Sequence, residues 1–302
     1  MKTIGILVST RAKKPNHKRP MENISNTQFK IVFGSKVSTS KDLVFLENER
    51  IDALYDRFPS RILPESYPKL QGLNIPVANP PQLNRMFEDK IKTQGFLEQF
   101  AIPMPKVASS DFKKTIDSWG GIAIVKPRFG AFGVGITLST TPPPPHTKGL
   151  NGFDPTIIQQ YIRSPFGYKG ISIRQLLFRE KNRSWWFPPP IARCSNNDVI
   201  VNASRGADLF PAKEIIPHNS LCLIQELSQK IADILSNLPK SSWLLDVGLD
   251  FIIDQNWKPW LIEINGQPKG KYREISNQRG EPWLKKHAEA IEKPLSTLAQ
   301  WI

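Results

Sequence analysis

Cysteine is scarce, with only Cys194 and Cys222 in 302 residues. They form no CxxC pair and no histidine cluster accompanies them, which excludes a zinc ribbon and a disulfide framework. Reduced thiols in a cytoplasmic protein are the expectation. The four histidines, His17, His146, His218 and His287, are scattered, and none stands four residues from another. That excludes a helical histidine metal site. No apolar run approaches the ~20 residues that a membrane helix needs. The opening Met1-Lys2-Thr3-Ile4-Gly5-Ile6-Leu7-Val8 is followed by Arg11, Lys13, Lys14, Lys18 and Arg19, not by a small-residue cleavage site. It reads as a first β-strand and a basic loop, not as an export signal. A Walker A loop is also missing, and Gly130, Gly133 and Gly135 do not fit the dinucleotide fingerprint.

What is present is a globular composition, 39% hydrophobic and 23% charged. This length supports two or three lobes around a real core. The net charge is +14. Two partners would answer such a charge. One is nucleic acid, for which Trp185-Trp186 beside Arg183 would be a stacking platform. The other is polyphosphate and an acidic substrate held in a cleft. Charge alone does not separate them.

The pattern along the chain is α/β, in α+β lobes. Strands are expected at 3–8, 29–33, 42–46 and 51–55, in a small open lobe that ends near Pro80-Pro81. Residues 83–100 carry Leu83, Met86, Phe87, Ile91, Phe96, Leu97 and Phe100 at helical spacing. A strand and a helix follow over 107–119. Residues 121–127 and 136–138 form a hairpin with a glycine-rich tip, and Pro142 to Pro145 make a surface connection. Strands are expected at 156–162, 172–177 and 185–187, then an amphipathic helix over 221–238. A hairpin spans 243–264 with its turn at Asp254-Gln255-Asn256, and the last helix covers 283–300. There is no internal repeat.

The hairpin 243–264 carries the chemistry. Asp250 lies between Leu249 and Phe251; Glu263 lies between Ile262 and Ile264, with Asn265 next but one. A hairpin sets Asp250 and Glu263 side by side, and residues two apart share a face. Two carboxylates and an amide oxygen then converge on an apolar surface, where a divalent cation compensates them. All-oxygen ligation favours magnesium, with manganese as the substitute. Lys126, at a strand end before the glycine loop, and Lys90, on the helix, are candidate phosphate contacts, the loop backbone adding N–H donors.

This set resembles the ATP-grasp superfamily. The matching stretches are Glu88-Asp89-Lys90, Ile124-Val125-Lys126-Pro127, Ile158-Gln159-Gln160-Tyr161-Ile162 and Asp250…Glu263-Ile264-Asn265. Their order is similar to that of D-alanine–D-alanine ligases and glutathione-synthetase-like enzymes, over residues 85 to 275. A narrower resemblance, to the spore-coat-associated YheC/YheD-type branch, rests on three stretches. They are Tyr55-Asp56-Arg57-Phe58-Pro59-Ser60-Arg61, Asn202-Ala203-Ser204-Arg205-Gly206-Ala207 and Trp260-Leu261-Ile262-Glu263-Ile264-Asn265-Gly266-Gln267-Pro268-Lys269.

The resemblance implies an ATP-grasp fold with a pre-ATP-grasp lobe at 1–85. A central lobe with the glycine-rich lid would span 86–163, and a C-terminal lobe with the metal site 164–302. It implies ATP held by Lys90, Lys126, Gly130 and Gly133 and by the hinge Gln159, Gln160, Tyr161 and Ile162. Two magnesium ions would be held by Asp250, Glu263 and Asn265. Ser172 stands near the place of the acid that contacts ribose, and Gln159 stands where an acid is common. The implied reaction is ADP-forming ligation of a small carboxylate, or an acidic amino acid or peptide, to an amine acceptor. Arg174, Arg193 and Arg205 would orient the acylphosphate, because a planar guanidinium suits that anion. Asp56, Arg57 and Arg61 are the polar candidates of the first lobe. An ATP-binding coat or scaffold protein without turnover, a kinase and a nucleic-acid binder are the alternatives. A homo-oligomer is compatible with all of these.

Overall fold

The computed structural model describes residues 1–8, 29–57, 70–130, 133–149, 152–201, 206–268 and 270–302. The first lobe is a parallel sheet ordered β2-β1-β6-β7, made of β1 (Lys2–Leu7), β2 (Phe29–Gly34), β6 (Ala53–Asp56) and β7 (Val77–Ala78). Between β2 and β6 the chain adds an antiparallel meander: β3 (Val37–Ser40), β4 (Leu43–Leu46) and β5 (Glu49–Ile51). The expected strand over 51–55 is therefore two strands, broken at Asp52, whose carboxylate accepts the Thr3 N–H at 2.7 Å.

The helix expected over 83–100 is also two, α1 (Pro81–Glu88) and α2 (Lys90–Glu98). Asp89 causes the break. Its backbone is extended, and its side chain accepts from the N–H groups of Ile91 and Lys92. A capping carboxylate satisfies the orphan donors of a new helix start, so a second helix begins where one was expected to continue.

The second sheet is antiparallel, ordered β10-β9-β12-β11, and β8 (Val107–Ala108) also pairs with β12. Its strands are β9 (Ala123–Pro127), β10 (Thr137–Ser139), β11 (His146–Gly149) and β12 (Gly152–Gln160). The helix α3 (Phe112–Ser118) buries Ile116 against Ala123, Val125 and Ile158.

The third sheet is ordered β16-β15-β13-β17-β18. Its strands are β13 (Gly170–Arg179), β15 (Ile191–Ser195), β16 (Asp208–Pro211), β17 (Asp246–Ile253) and β18 (Pro259–Asn265), with β14 (Trp185–Trp186) on the edge of β13. Alternation assigns the faces. On β17, Val247, Leu249, Phe251 and Ile253 enter the main core with Ile171, Ile173 and Leu177 of β13. The helix α4 (His218–Ser236) covers that core with Ile224, Ile231 and Leu235, and α1 adds Leu83 and Phe87. The opposite face carries Arg174 and Asp250, and farther along it Leu176 and Phe178 pack on Tyr272 and Ile275 of α5 (Tyr272–Arg279). The last helix, α6 (Trp283–Trp301), returns to the first lobe, where Leu295 and Leu298 meet Ile4, Ile6 and Phe29. Among the described residues no helix is long and apolar enough to cross a membrane.

A buried polar network joins the first and third sheets. The Asn79 amide oxygen accepts from the N–H groups of Leu245 (2.6 Å) and Asp246 (3.1 Å). Its amide nitrogen donates to the Gly266 carbonyl at 2.5 Å and to the Asp246 carboxylate at 2.8 Å. Tyr55 donates to the same carboxylate at 2.9 Å, and Arg57 donates to it at 2.8 Å and to the Pro268 carbonyl at 2.5 Å. The first lobe thus grips the start of β17 and the segment after β18. Asn79→Ala strands two buried N–H donors, and a stability loss of about 3 kcal/mol by urea denaturation is expected.

Candidate active site

The expected hairpin forms from β17 and β18, and in it Asp250 pairs with Glu263 while Gly248 pairs with Asn265. A slip in register makes this arrangement. From the turn, Ile253 pairs with Pro259 and Phe251 with Leu261, but the next pair is Asp250 with Glu263. Ile262 is the extra residue, a β-bulge. Without it Asp250 would face Ile262, and Glu263 would point with Leu249 into the core, because a one-residue slip turns each side chain to the other face. Asp254 shapes the turn, its carboxylate accepting from the N–H groups of Asn256 and Lys258 and from the Trp260 indole.

Asp250 is 6% exposed and fully engaged. Arg174, opposite it on β13, donates Nε to one carboxylate oxygen and Nη2 to the other, both at 2.5 Å. Arg193 on β15 approaches at 3.5 Å, and the Asn265 amide donates at 3.1 Å. Burial alone would raise the Asp250 carboxyl, but Arg174 and Arg193 hold it below the usual carboxylate range. Arg205 lies outside the described residues. Ser172, beside Arg193 on the same face, is buried, and its Oγ has no hydrogen-bond partner among the described residues.

Glu263 shares a cleft with the two lysines. Glu263, Lys90, Lys126 and Gln159 line one cleft, with Phe87, Met104, Val107 and Ile262 as its apolar walls. The Lys90 ammonium donates to the Gly130 carbonyl at 2.6 Å, which ties the helix to the start of the glycine-rich loop. Lys126 Nζ is buried and donates to the Gln159 amide oxygen at 2.8 Å. Burial pushes its amine down to about 7; Lys90 adds to that and Glu263 opposes it. Gln159 gives this ammonium a neutral partner.

The strand β12 ends at Gln160, whose N–H donates to the Lys106 carbonyl at 2.8 Å. Tyr161 and Ile162 begin the connection to β13. Gly133 has φ +73°, a conformation glycine adopts without strain. The structure therefore brings Lys90, Lys126, Gly130 and Gln159 together on one side and Arg174, Arg193, Asp250 and Asn265 on the other, with Glu263 facing the cleft.

The tryptophans that stood for a nucleic-acid platform are covered by the chain's own cations. Lys293 lies 4.1 Å from the Trp186 ring centre, and Arg179 lies 4.1 Å from that of Trp185. Arg183 stacks on Trp301 at 3.8 Å.

Sequence reasoning took Asp89 as part of a motif and missed its second partner. The carboxylate forks onto Arg128 at 2.7 and 2.8 Å while it caps α2. It also missed Asn79 and Asp246, which have no local signal.

The comparisons with known proteins bear on the fold. A family model described as YheC/D like ATP-grasp matches residues 146–290. VanG D-Ala:D-Ser ligase from Enterococcus faecalis superposes with a TM-score of 0.68 at 12% identity, over 98% of this chain and 99% of that one. The chain carries the ATP-grasp fold. Its resemblance to the YheC/D-like branch holds over the matched residues. D-alanyl-alanine synthetase A from Vibrio cholerae is similar at a TM-score of 0.64 and 13% identity, over 97% and 98% of the two chains. N5-carboxyaminoimidazole synthetase from Staphylococcus aureus, solved with ADP, gives 0.60 at 17% identity, over 97% of this chain and 77% of that chain. No curated protein sequence matches.

Of the expected cation ligands, Asp250 is occupied by Arg174, Arg193 and Asn265, while the Glu263 carboxylate has no hydrogen bond among the described residues. Among the described residues no three of His, Cys, Asp or Glu converge. The protein therefore offers two carboxylates and an amide, and oxygens of phosphate and water would complete the shell. Magnesium is commonly held in that way.

A consequence of the Lys126 environment is measurable. Burial disfavours the ammonium in the fold only, so the fold binds fewer protons than the unfolded chain between about pH 7 and the ordinary lysine value of 10.5. Stability contributed by this group therefore rises with pH across that window. Lys126→Met should gain most over the parent at pH 7 and least near pH 10 by urea denaturation.

Proposed function

We propose that this ATP-grasp chain is an ATP-dependent, ADP-forming ligase that joins a carboxylate to an amine through an acylphosphate. The observation that carries this reading is one cleft holding Lys90, Lys126 and Glu263, with Asp250, Arg174 and Arg193 on the adjoining sheet face. The ligase titles of the similar structures support it.

In this reading a substrate carboxylate oxygen attacks the γ-phosphorus of ATP. The bond from that phosphorus to the bridging oxygen breaks and ADP leaves. The acceptor nitrogen then attacks the acyl carbon, the carbon–oxygen bond to phosphate breaks, and the nitrogen loses its proton. Phosphorylation matters because a free carboxylate has no competent leaving group. Lys90 and Lys126 hold the phosphates from the lid side, and Gln160 and Ile162 present backbone groups to adenine. Ser172 offers its orphaned hydroxyl to ribose. Arg174 and Arg193 orient the acylphosphate, since fixed cations aimed at developing charge lower the barrier. Magnesium bound by Asp250, Glu263 and Asn265, in two positions, would neutralise charge on the transferring phosphoryl group.

Residues 1–85 serve as the lobe that receives the acceptor, 86–163 as the lid-bearing lobe and 164–302 as the metal-bearing lobe. The basic balance favours an acidic amino acid or peptide as one substrate. We place the protein in the cytoplasm, where thiols such as Cys194 and Cys222 stay reduced.

Incubation with ATP, magnesium and pooled amino acids and peptides should release ADP and phosphate with a new amide product. Glu263→Gln should lower ADP release by at least ~10²-fold. Full activity in that variant would remove the metal assignment. A stable phosphorylated product would make the protein a kinase, and nucleotide-dependent thermal stabilisation without turnover would make it a binding scaffold.

A further inference from the structure

The Asp250 carboxylate has no lone pair to spare. One oxygen accepts from Arg174 Nε and Arg193 Nη1, and the other accepts from Arg174 Nη2 and Asn265 Nδ2. A carboxylate offers about four acceptor positions, so these donors saturate it. Glu263 differs. It faces Asp250 across the ladder and lines the lysine cleft, yet among the described residues no hydrogen bond or ion pair reaches its carboxylate. The two acids are therefore unequal, although the sequence presents them as a matched pair.

A divalent cation at Asp250 would meet two obstacles. A donor must first leave the carboxylate, and the ion would then sit against two guanidinium groups, a like-charge repulsion that water screens poorly in this buried setting. Arg174 is 12% exposed and Arg193 9%. An anion relieves both obstacles together. A guanidinium prefers a phosphate at least as well as a carboxylate, and its planar fork suits both.

We infer that Arg174 and Arg193 occupy the cation position of Asp250 in the resting protein and yield it only to an anionic phosphate ligand, so that cation and nucleotide load together. The two cation positions then fill in order. The position at Glu263 is open from the start, and the position at Asp250 opens when the arginines transfer to phosphate. By linkage, nucleotide and cation each raise the other's affinity to the same degree. This inference rests on the reading of Asp250, Glu263 and Asn265 as cation ligands.

The test uses the full chain, Mn²⁺ as the probe and free Mn²⁺ counted by electron paramagnetic resonance. The nucleotide is the non-hydrolysable β,γ-imido analogue of ATP, and cation held by nucleotide alone is subtracted. The parent protein should take about one equivalent of Mn²⁺ by itself and about two with the nucleotide. Arg174→Met should bind the second equivalent without nucleotide, at least ~10-fold tighter than the parent. Arg174→Met/Asp250→Asn should lose that gain. Arg193→Met is the companion variant, should Arg174→Met fail to fold, and the parent counts stand without either. Two equivalents bound by the parent without nucleotide, or no tighter binding in the arginine variants, would overturn the inference while the cation ligands stand. An absence of Mn²⁺ binding even with nucleotide would overturn the ligand reading and this inference with it.

Discussion

The site depends on one extra residue in one strand. Ile262 has no partner on β17, and this bulge brings Glu263 onto the face of Asp250. Ile262 itself lines the cleft that Lys90 and Lys126 also line. A regular ladder would bury Glu263 among leucine and phenylalanine, where an uncompensated carboxylate is costly. Both the acid pair and part of the apolar wall of the cleft thus follow from a single local irregularity, of the kind that bulges near functional sites commonly supply.

The hairpin was legible because acids are conspicuous between Leu249 and Phe251 and between Ile262 and Ile264. The reason why they share a face was not legible, since spacing does not reveal a bulge. The break at Asp89 was hidden for a related reason: the apolar spacing from Leu83 to Phe100 continues through it, and only the cap geometry separates α1 from α2. The short strands β15 and β16 and the helix α5 were missed because each is too brief to establish a period. Lys90 and Lys126 were expected at phosphate and Gln159 at the hinge through a family resemblance, and the structure sets all three in one cleft. Nothing local in the chain shows that Lys126 would rest on an amide oxygen. The network of Asn79, Arg57 and Asp246 spans separations of 167 and 189 residues, beyond any sequence window.

That network gives the hairpin a fixed mounting. Asn79 and Arg57 hold Asp246 at the start of β17 and the carbonyls of Gly266 and Pro268 just after β18. Asp250 and Glu263 lie between these anchored ends. Gly266 sits so close to Asn84 that an added Cβ would collide with the Asn84 amide oxygen, so the backbone there can approach α1 only as glycine. The first lobe therefore contributes rigidity to the acids of a different lobe.

The Asp89–Arg128 fork has a mechanical meaning. It clamps the residue that follows β9 to the start of α2, and Lys90 reinforces the joint through the Gly130 carbonyl. Lys126 lies on the strand side of that joint and Lys90 on the helix side. Both ammonium groups are therefore held by the helix and the strand on either side of the joint. A change in the backbone beyond Gly130 would leave both charges where they are.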